Sequence, residues 1–263
     1  MEVLTPRSLD ETCRLKAELP EAHFVQGGTD VLVDLNFDRS RPAALINLNE
    51  VAELRGWRQE DGTLVLGAGL TYTEAMRSPL AERLPALAEA SRTVGSPQIR
   101  NRGTLGGNIG RASPAGDSLP PLLVDAATID IASVRGRRSV ALGDFLVGPG
   151  RNVLQPDEVI VAVRVTPSGA RQTFMKIGTR NAMVIAVCSL AVAIDHERGE
   201  IRAAYGSAGP VVALVTAGLE DAGDFPDAVA SACRPIDDVR GTAAYRRHAL
   251  RVLAARALER CLA

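Results

Sequence analysis

"IRNRGTLGGNIGRASPAGDSLP", residues Ile99 to Pro120, holds five glycines from Gly103 to Gly116, with Thr104, Asn108, Ser113 and Asp117 set among and after them. Glycines at this density let main chain lie close against a ligand, and the polar groups offer hydrogen-bonding side chains beside it. Asp117 adds an acceptor suited to a ribose or ribityl hydroxyl. Neither GxGxxG after a strand nor GxxxxGK[ST] is present, so neither a nicotinamide-dinucleotide fold nor a nucleoside triphosphatase is indicated. The plainer alternative is a long ordered turn in a β-rich domain. That alternative is strained, because a purely structural turn seldom interleaves so many glycines with polar groups.

A second glycine stretch lies upstream. "VQGGTDV", Val25 to Val31, joins a strand predicted at His23 to Gln26 to a helix starting near Thr29. The Gly27–Gly28 pair lets amides turn toward one point, and the helix N-terminus adds partial positive charge, so the place suits a phosphate or pyrophosphate. Alone, the loop reads more simply as a strand-to-helix turn.

Working outward, Ser8 and Glu11 make a capping-box pattern that opens a helix through about Leu19, and Ala43 to Leu48 is the next strand, giving a β-loop-α-β segment. Beyond Trp57, "TLVLGAGL" reads as a short strand, Thr71 and Glu74 cap a helix, and helical text resumes over Pro85 to Val94. Ala127–Val134, Arg137–Leu146 and Glu158–Val165 read as strands of an antiparallel unit. Thr166 to Arg171 is a polar linker punctuated by Pro and Gly. After it come three strands, "QTFMKIG", "AVCSLAVAID" and "EIRAAYGSAG", and a helix that places Tyr245, Ala249, Val252, Leu253 and Ala257 on one face. The apolar run Ala182 to Ile194 is too short to span a bilayer and reads as a buried strand or two.

The 263 residues carry 30 basic and 31 acidic side chains, so no global field favours nucleic acid or an anionic membrane. Cys13, Cys188, Cys233 and Cys261 lie far apart, with no CxxC pair, which argues against zinc or an iron–sulfur cluster in this chain. The N-terminus has acids and no apolar core of a signal peptide; a reduced, cytoplasmic protein is expected.

"FVQGGTDVLVDL" and "VGSPQIRNRGTLGGNIGRASPAGDSLPPLLVDAA" closely resemble the two FAD-binding segments of the molybdenum hydroxylase flavoproteins, the medium subunits of carbon monoxide dehydrogenase and xanthine dehydrogenase type. "EVIVAVRV", "FMKIGTRNAMVIAVCSLAVAI" and "DDVRGTAAYRRHALRVLAARAL" resemble the family's later landmarks, in order, over nearly the whole chain. The resemblance implies an α+β architecture: an FAD-binding PCMH-type (vanillyl-alcohol-oxidase-like) domain over 1–168, with subdomains of about 1–55 and 56–168. A small flavoprotein domain over 169–263 follows. It implies that Val25, Gln26, Gly27, Gly28, Thr29, Asp30 and Val31 wrap the FAD pyrophosphate. Thr104, Leu105, Gly106, Gly107 and Asn108 would approach the cofactor from the other subdomain, with Asp117 on its polar portion, Ile160 as an apolar contact and Lys176 near the flavin ring. A cation there would stabilise anionic reduced flavin.

The same resemblance implies an electron-transfer subunit, with no catalytic acid, base or nucleophile of its own. Molybdopterin would reside on a large partner subunit and [2Fe–2S] clusters on a small one, with NAD or another carrier as external acceptor. The cluster-bearing insertion of the 4-hydroxybenzoyl-CoA reductase branch is absent between Val124 and Val140. Two other readings stay open at this point: a stand-alone FAD-dependent oxidoreductase without molybdenum partners, and a scaffold that has lost FAD. The glycine loops weigh against the scaffold.

Overall fold

The computed structural model describes residues 1–263, and the chain opens with β1 (Glu2–Leu4), α1 (Leu9–Glu18), β2 (His23–Val25), α2 (Val31–Asn36) and β3 (Ala44–Asn47). The three strands pair in parallel in the order β1-β3-β2. Ser8 caps α1, its Oγ accepting the Glu11 N–H at 3.2 Å. Glu11 does not close the expected box; its carboxylate accepts the Arg7 N–H instead, at 2.7 Å. Pro20, which cannot continue the amide ladder, follows the C-cap Leu19.

The middle of the chain runs through β4 (Trp57–Glu60), β5 (Thr63–Gly67), α3 (Tyr72–Ala75), α4 (Leu80–Arg83), α5 (Pro85–Thr93), α6 (Pro97–Arg102), α7 (Leu105–Arg111), α8 (Leu119–Val124), β6 (Thr128–Ser133), β7 (Gly136–Ala141), α9 (Leu142–Phe145), the small pair β8 (Leu146–Gly148) and β9 (Arg151–Asn152), and β10 (Val159–Val165). Its antiparallel sheet has the order β4-β5-β10-β6-β7. β10 is central, which is why its sequence is almost continuously apolar. Thr71 and Glu74 close a full capping box on α3. Two expectations are corrected here. The stretch Arg137–Leu146 is strand only to Ala141, after which Leu142 and Phe145 turn inward on α9. The glycine-rich stretch is no loop, since its residues form α6 and α7.

The chain ends with β11 (Arg171–Ile177), β12 (Cys188–Asp195), β13 (Glu200–Gly206), β14 (Ala213–Gly218), α10 (Phe225–Ala232) and α11 (Ala243–Leu262). The four strands form an antiparallel sheet in chain order. Both faces of this sheet are covered. Leu190, Val192 and Ile194 pack with α10 and α11, whereas Phe174, Ala191, Ala193 and Ala204 join the core of the preceding unit. β12 is therefore buried along its length, but the run Ala182–Ile194 becomes strand only at Cys188, and Met183 and Ile185 before it are exposed. On α11, Ala249, Leu253 and Ala257 are buried as expected, while Tyr245 is exposed. Arg246 is buried in its stead, donating to the carbonyls of Val187 and Ser207, both at 2.6 Å, and pairing with Asp238. Both terminal nitrogens are engaged, which offsets most of the cost of that burial, although Nε is buried without a partner.

At the junction of α8 with the C-terminal sheet, Gln172 Nε2 donates to Asp125 Oδ1 at 2.5 Å, and Asp125 Oδ2 is buried without a partner. Burial pushes this carboxyl from 3.8 up to about 7. Between those values the folded chain binds a proton that the unfolded chain has released, so this group's contribution to stability falls as pH rises from about 4 to about 7. Asp125→Asn should shrink the stability difference between pH 5 and pH 8 by about 2–3 kcal/mol. Urea unfolding at the two pH values checks this, and an undiminished difference would assign the pH dependence elsewhere.

Candidate functional site

A cleft of about 490 Å³ lies between the small parallel sheet and the central antiparallel unit. Its floor is the turn after β2. Gly28 there has φ +74°, a left-handed conformation that favours glycine. Gly27 is needed for a different reason: a Cβ on it would stand 2.1 Å from the Arg102 carbonyl oxygen, at the end of α6. Arg102 reinforces this approach by donating from Nη2 to the Gln26 carbonyl at 3.1 Å. Arg111 at the end of α7 reaches back to Asp30 at 3.2 Å and Asp34 at 3.1 Å, so both glycine segments are tied across the cleft. The Asp30 pair is solvent-exposed and contributes about 0–1 kcal/mol, while Asp34 is partly buried.

The decisive feature is main-chain. The amides of Gly27, Gly28, Thr29 and Asp30 donate to no other group in the chain. Consecutive free N–H groups at a strand-to-helix turn form an anion-binding concavity, and hydrogen bonds to a charged acceptor contribute about 1.5–3 kcal/mol each. A diphosphate fits that donor set.

The α7 wall is built differently. Leu105 N–H donates to Leu70 O, Gly106 N–H to Ala68 O, Gly107 N–H to Thr104 Oγ1 and Asn108 N–H to Thr104 O, so the first turn of α7 has no amide to spare. The polar side chains here are used as acceptors: Thr104 Oγ1 caps the helix by accepting the Gly107 N–H, Asn108 Oδ1 accepts from Ser118 Oγ at 2.6 Å, and Ser113 Oγ accepts from Ala115 N–H, which leaves their O–H and N–H donors unengaged. What α7 offers is a glycine surface without side chains, flanked by the unengaged donors of Thr104 and Asn108. Gly106 is pressed on Ala68, where a Cβ would fall 2.7 Å from the Ala68 Cβ, whereas a Cβ on Gly107 would meet only Thr104 Oγ1, at 3.1 Å. Thus Gly106 seats the helix and Gly107 faces the cleft.

Of the residues singled out in the sequence, Val25 to Val31, Thr104, Gly106, Gly107, Asn108 and Ile160 line the cleft. Leu105 does not; it is fully buried in the core beneath α7. Asp117 and Lys176 also stand outside the lining, paired with each other at 2.6 Å with side chains 7% and 6% exposed. Lys176 additionally donates to the Thr93 carbonyl at 3.3 Å, and Asp117 Oδ2 accepts from Thr93 Oγ1 at the same distance. Burial pushes the Asp117 carboxyl above its ordinary range, against the pull of Lys176 and the Thr93 hydroxyl. Asp117 Oδ1 is buried without a partner, an unused acceptor of the kind a ligand hydroxyl satisfies.

Sequence reading missed Lys16 and Tyr72, both of which line the cleft. Lys16 Nζ donates to the carbonyls of Pro20 and Ala22, both at 2.6 Å, and stands 5.2 Å from the Phe24 ring centroid; burial lowers its pKa. Its position within a polar helix gave no signal. Free amides over the first turn and a glycine surface on the second segment together fit an elongated cofactor with an anionic middle, as FAD is.

Comparison with known proteins agrees with this fit. The family model described as the FAD binding domain in molybdopterin dehydrogenase matches residues 1–168. The xanthine dehydrogenase FAD-binding subunit of Escherichia coli O157:H7 is 36% identical over 211 residues, spanning 77% of this chain and 72% of that protein. The carbon monoxide dehydrogenase medium chain of Hydrogenophaga pseudoflava is 30% identical over 262 residues, 93% of this chain and 91% of its own length. In a solved structure of carbon monoxide dehydrogenase from that organism, lacking the Mo-pyranopterin moiety of its molybdenum cofactor, one chain superposes with a TM-score of 0.92 at 29% identity. That match covers 100% of this chain and 97% of the other.

Proposed function

This chain belongs to the family of FAD-binding domains of molybdopterin dehydrogenases, and from that premise we propose that it is the FAD-carrying electron-transfer subunit of a molybdenum hydroxylase. Relatives named as an FAD-binding subunit and as a medium chain favour this over a solitary oxidoreductase. The observation that carries the reading is the run of free amides from Gly27 to Asp30, facing a glycine surface across one cleft.

Gly27, Gly28, Thr29 and Asp30 hold the diphosphate through N–H donors, with Val25, Gln26 and Val31 flanking them. Gly106, Gly107, Thr104 and Asn108 form the opposite wall, with Ile160 as an apolar contact and Leu105 anchoring α7 from beneath. For Asp117 to take a cofactor hydroxyl through Oδ1, which is sealed outside the cleft lining, the wall beside it must shift on binding; Lys176 holds that carboxylate in place. Bound here, FAD supplies a store for two electrons between one-electron iron–sulfur donors on a partner and an external acceptor. The chain's own part is to bind, to orient and to shield.

In this reading molybdopterin and [2Fe–2S] clusters belong to a large and a small partner subunit, the assembly is a heterotrimer or its dimer, and NAD or another soluble carrier takes the electrons. No helix is long and apolar enough to cross a membrane, and a cytoplasmic location is part of the proposal. The division at 168/169 separates the cofactor domain from a C-terminal domain whose sheet packs back on it. Expression with its neighbouring genes and purification through a tag on this chain is the test. We expect equimolar FAD on this chain with molybdenum and iron in co-purifying subunits; a flavin-loaded chain active without partners would overturn the assignment.

A further inference from the structure

A second cleft, of about 450 Å³, opens at the far end of the central sheet. β10 starts beside the glycine cleft at Val159 and Ile160 and leads to Thr166 in the second cleft, so strand geometry puts the two about 20 Å apart. The lining is polar and comes from both units: Asp125, Arg164, Thr166 and Ser168 on one side, Arg198 and Arg202 on the other.

Arg202 is the unusual member. It lies on β13 and is only 9% exposed, yet its Nε and Nη2 are buried with no hydrogen-bond partner, and the only carboxylate paired with it, on Glu200, is 3.7 Å away. The other two guanidinium groups are accounted for. Arg164 is held by Asp130 at 2.7 Å and Glu60 at 3.1 Å, and Arg198, at the solvent rim, by Asp195 at 3.7 Å. A buried guanidinium with idle donors is costly unless something accepts from it. Thr166 Oγ1 shares one proton with Thr63 Oγ1 at 3.0 Å, and Ser168 Oγ accepts from Ala170 N–H, so hydroxyl donors remain beside Arg202. The lone carboxyl in the lining, Asp125, is raised by burial to about 7 against the pull of Gln172 and of the Arg202 charge; on the acid side of neutrality it is mostly protonated, so it neither neutralises Arg202 nor repels an anion.

We propose that this cleft is a phosphate site, taking free phosphate or a small phosphomonoester, with Arg202 as the planar two-pronged anchor and Arg198, Thr166 and Ser168 completing the shell. Planar guanidinium forks and hydroxyl donors are the complement of a tetrahedral oxyanion. A ligand held from both units would also stiffen the junction between the central unit and the C-terminal sheet, and would raise the unfolding temperature by mass action.

The test is calorimetric titration of the FAD-loaded full chain at pH 6.5 with inorganic phosphate and, separately, with AMP. One saturable site per chain is expected. Phosphate binding at least as tightly as AMP identifies the free ion, and tighter AMP identifies a phosphomonoester. Arg202→Met should weaken binding tenfold or more, and Arg198→Met, at an exposed position that the fold does not need, several-fold, with FAD content unchanged in both. Absence of saturable binding overturns the proposal, as does phosphate affinity unchanged in Arg198→Met together with either an unchanged affinity in Arg202→Met or a failure of that variant to fold.

Discussion

Gly107→Val is expected to leave a folded chain that no longer retains FAD. The reason is the opposite orientation of two adjacent glycines in α7. Gly106 touches Ala68 backbone and side chain, so any side chain there unseats the helix; at Gly107 an added Cβ meets only Thr104 Oγ1, and a valine's methyl groups project into the cleft. Valine is a slightly better helix former than glycine, so the apo fold should stay within roughly 0.5 kcal/mol of the parent. Obstructing a wall that main chain must approach closely forfeits several kcal/mol of packing and hydrogen bonding, a loss in affinity on the order of a hundredfold or more. Flavin released on denaturation, measured against protein, together with urea unfolding, separates the two effects. Full flavin content would remove α7 from the site, and an unfolded product would mean that Gly107, like Gly106, is a packing residue.

Lys176→Ala carries the second large effect, and it acts first on stability. The ammonium and the Asp117 carboxylate are both nearly sealed from solvent at 2.6 Å. Removing one partner of a buried pair strands the other, which typically destabilises by about 3–5 kcal/mol. Lys176→Met combined with Asp117→Asn should recover most of that loss, because no buried charge is left alone. A paired ammonium also acts on its surroundings as half of a dipole rather than as an isolated cation, which revises the simple expectation for the flavin. Loss of the ammonium raises the already raised Asp117 carboxyl further, so we expect the flavin potential to fall in Lys176→Ala only at alkaline pH, where that carboxyl ionises, and to fall less in the double variant. Urea unfolding and a redox titration on the same preparations read both quantities. A double variant no more stable than the single would mean that the pair is not the coupled unit described.

Much of the site was legible in the sequence because its requirements are local. Gly27–Gly28 after a β-branched strand end, and Thr104 as a cap three residues before Gly107, are chemical demands of the backbone itself. The helical state of Leu105–Arg111 was not legible. Three glycines in seven residues lower helix propensity by about 1 kcal/mol each, and tertiary bonds from Leu105 and Gly106 to Leu70 and Ala68 override it. The same limit explains Arg246, where a charged residue took the buried position expected of Tyr245 because carbonyls of Val187 and Ser207 and the Asp238 carboxylate, distant or not apolar in sequence, converge on it. Lys16 and Arg202 gave no signal for a related reason: each is defined by what surrounds it in space. The short strands β1 and β14 and the helix α10 carried no pattern strong enough to distinguish them from connecting chain.

The central claim is that the backbone from Gly27 to Asp30 is the anion cradle for FAD, and amide hydrogen exchange of this chain with and without the cofactor tests it most directly. Those four N–H groups have no acceptor within the chain, so they should exchange rapidly in the apo protein and become strongly protected when FAD binds, while the already bonded amides at the start of α7 change far less. Stoichiometric FAD binding with no added protection at Gly27 to Asp30 would contradict the account.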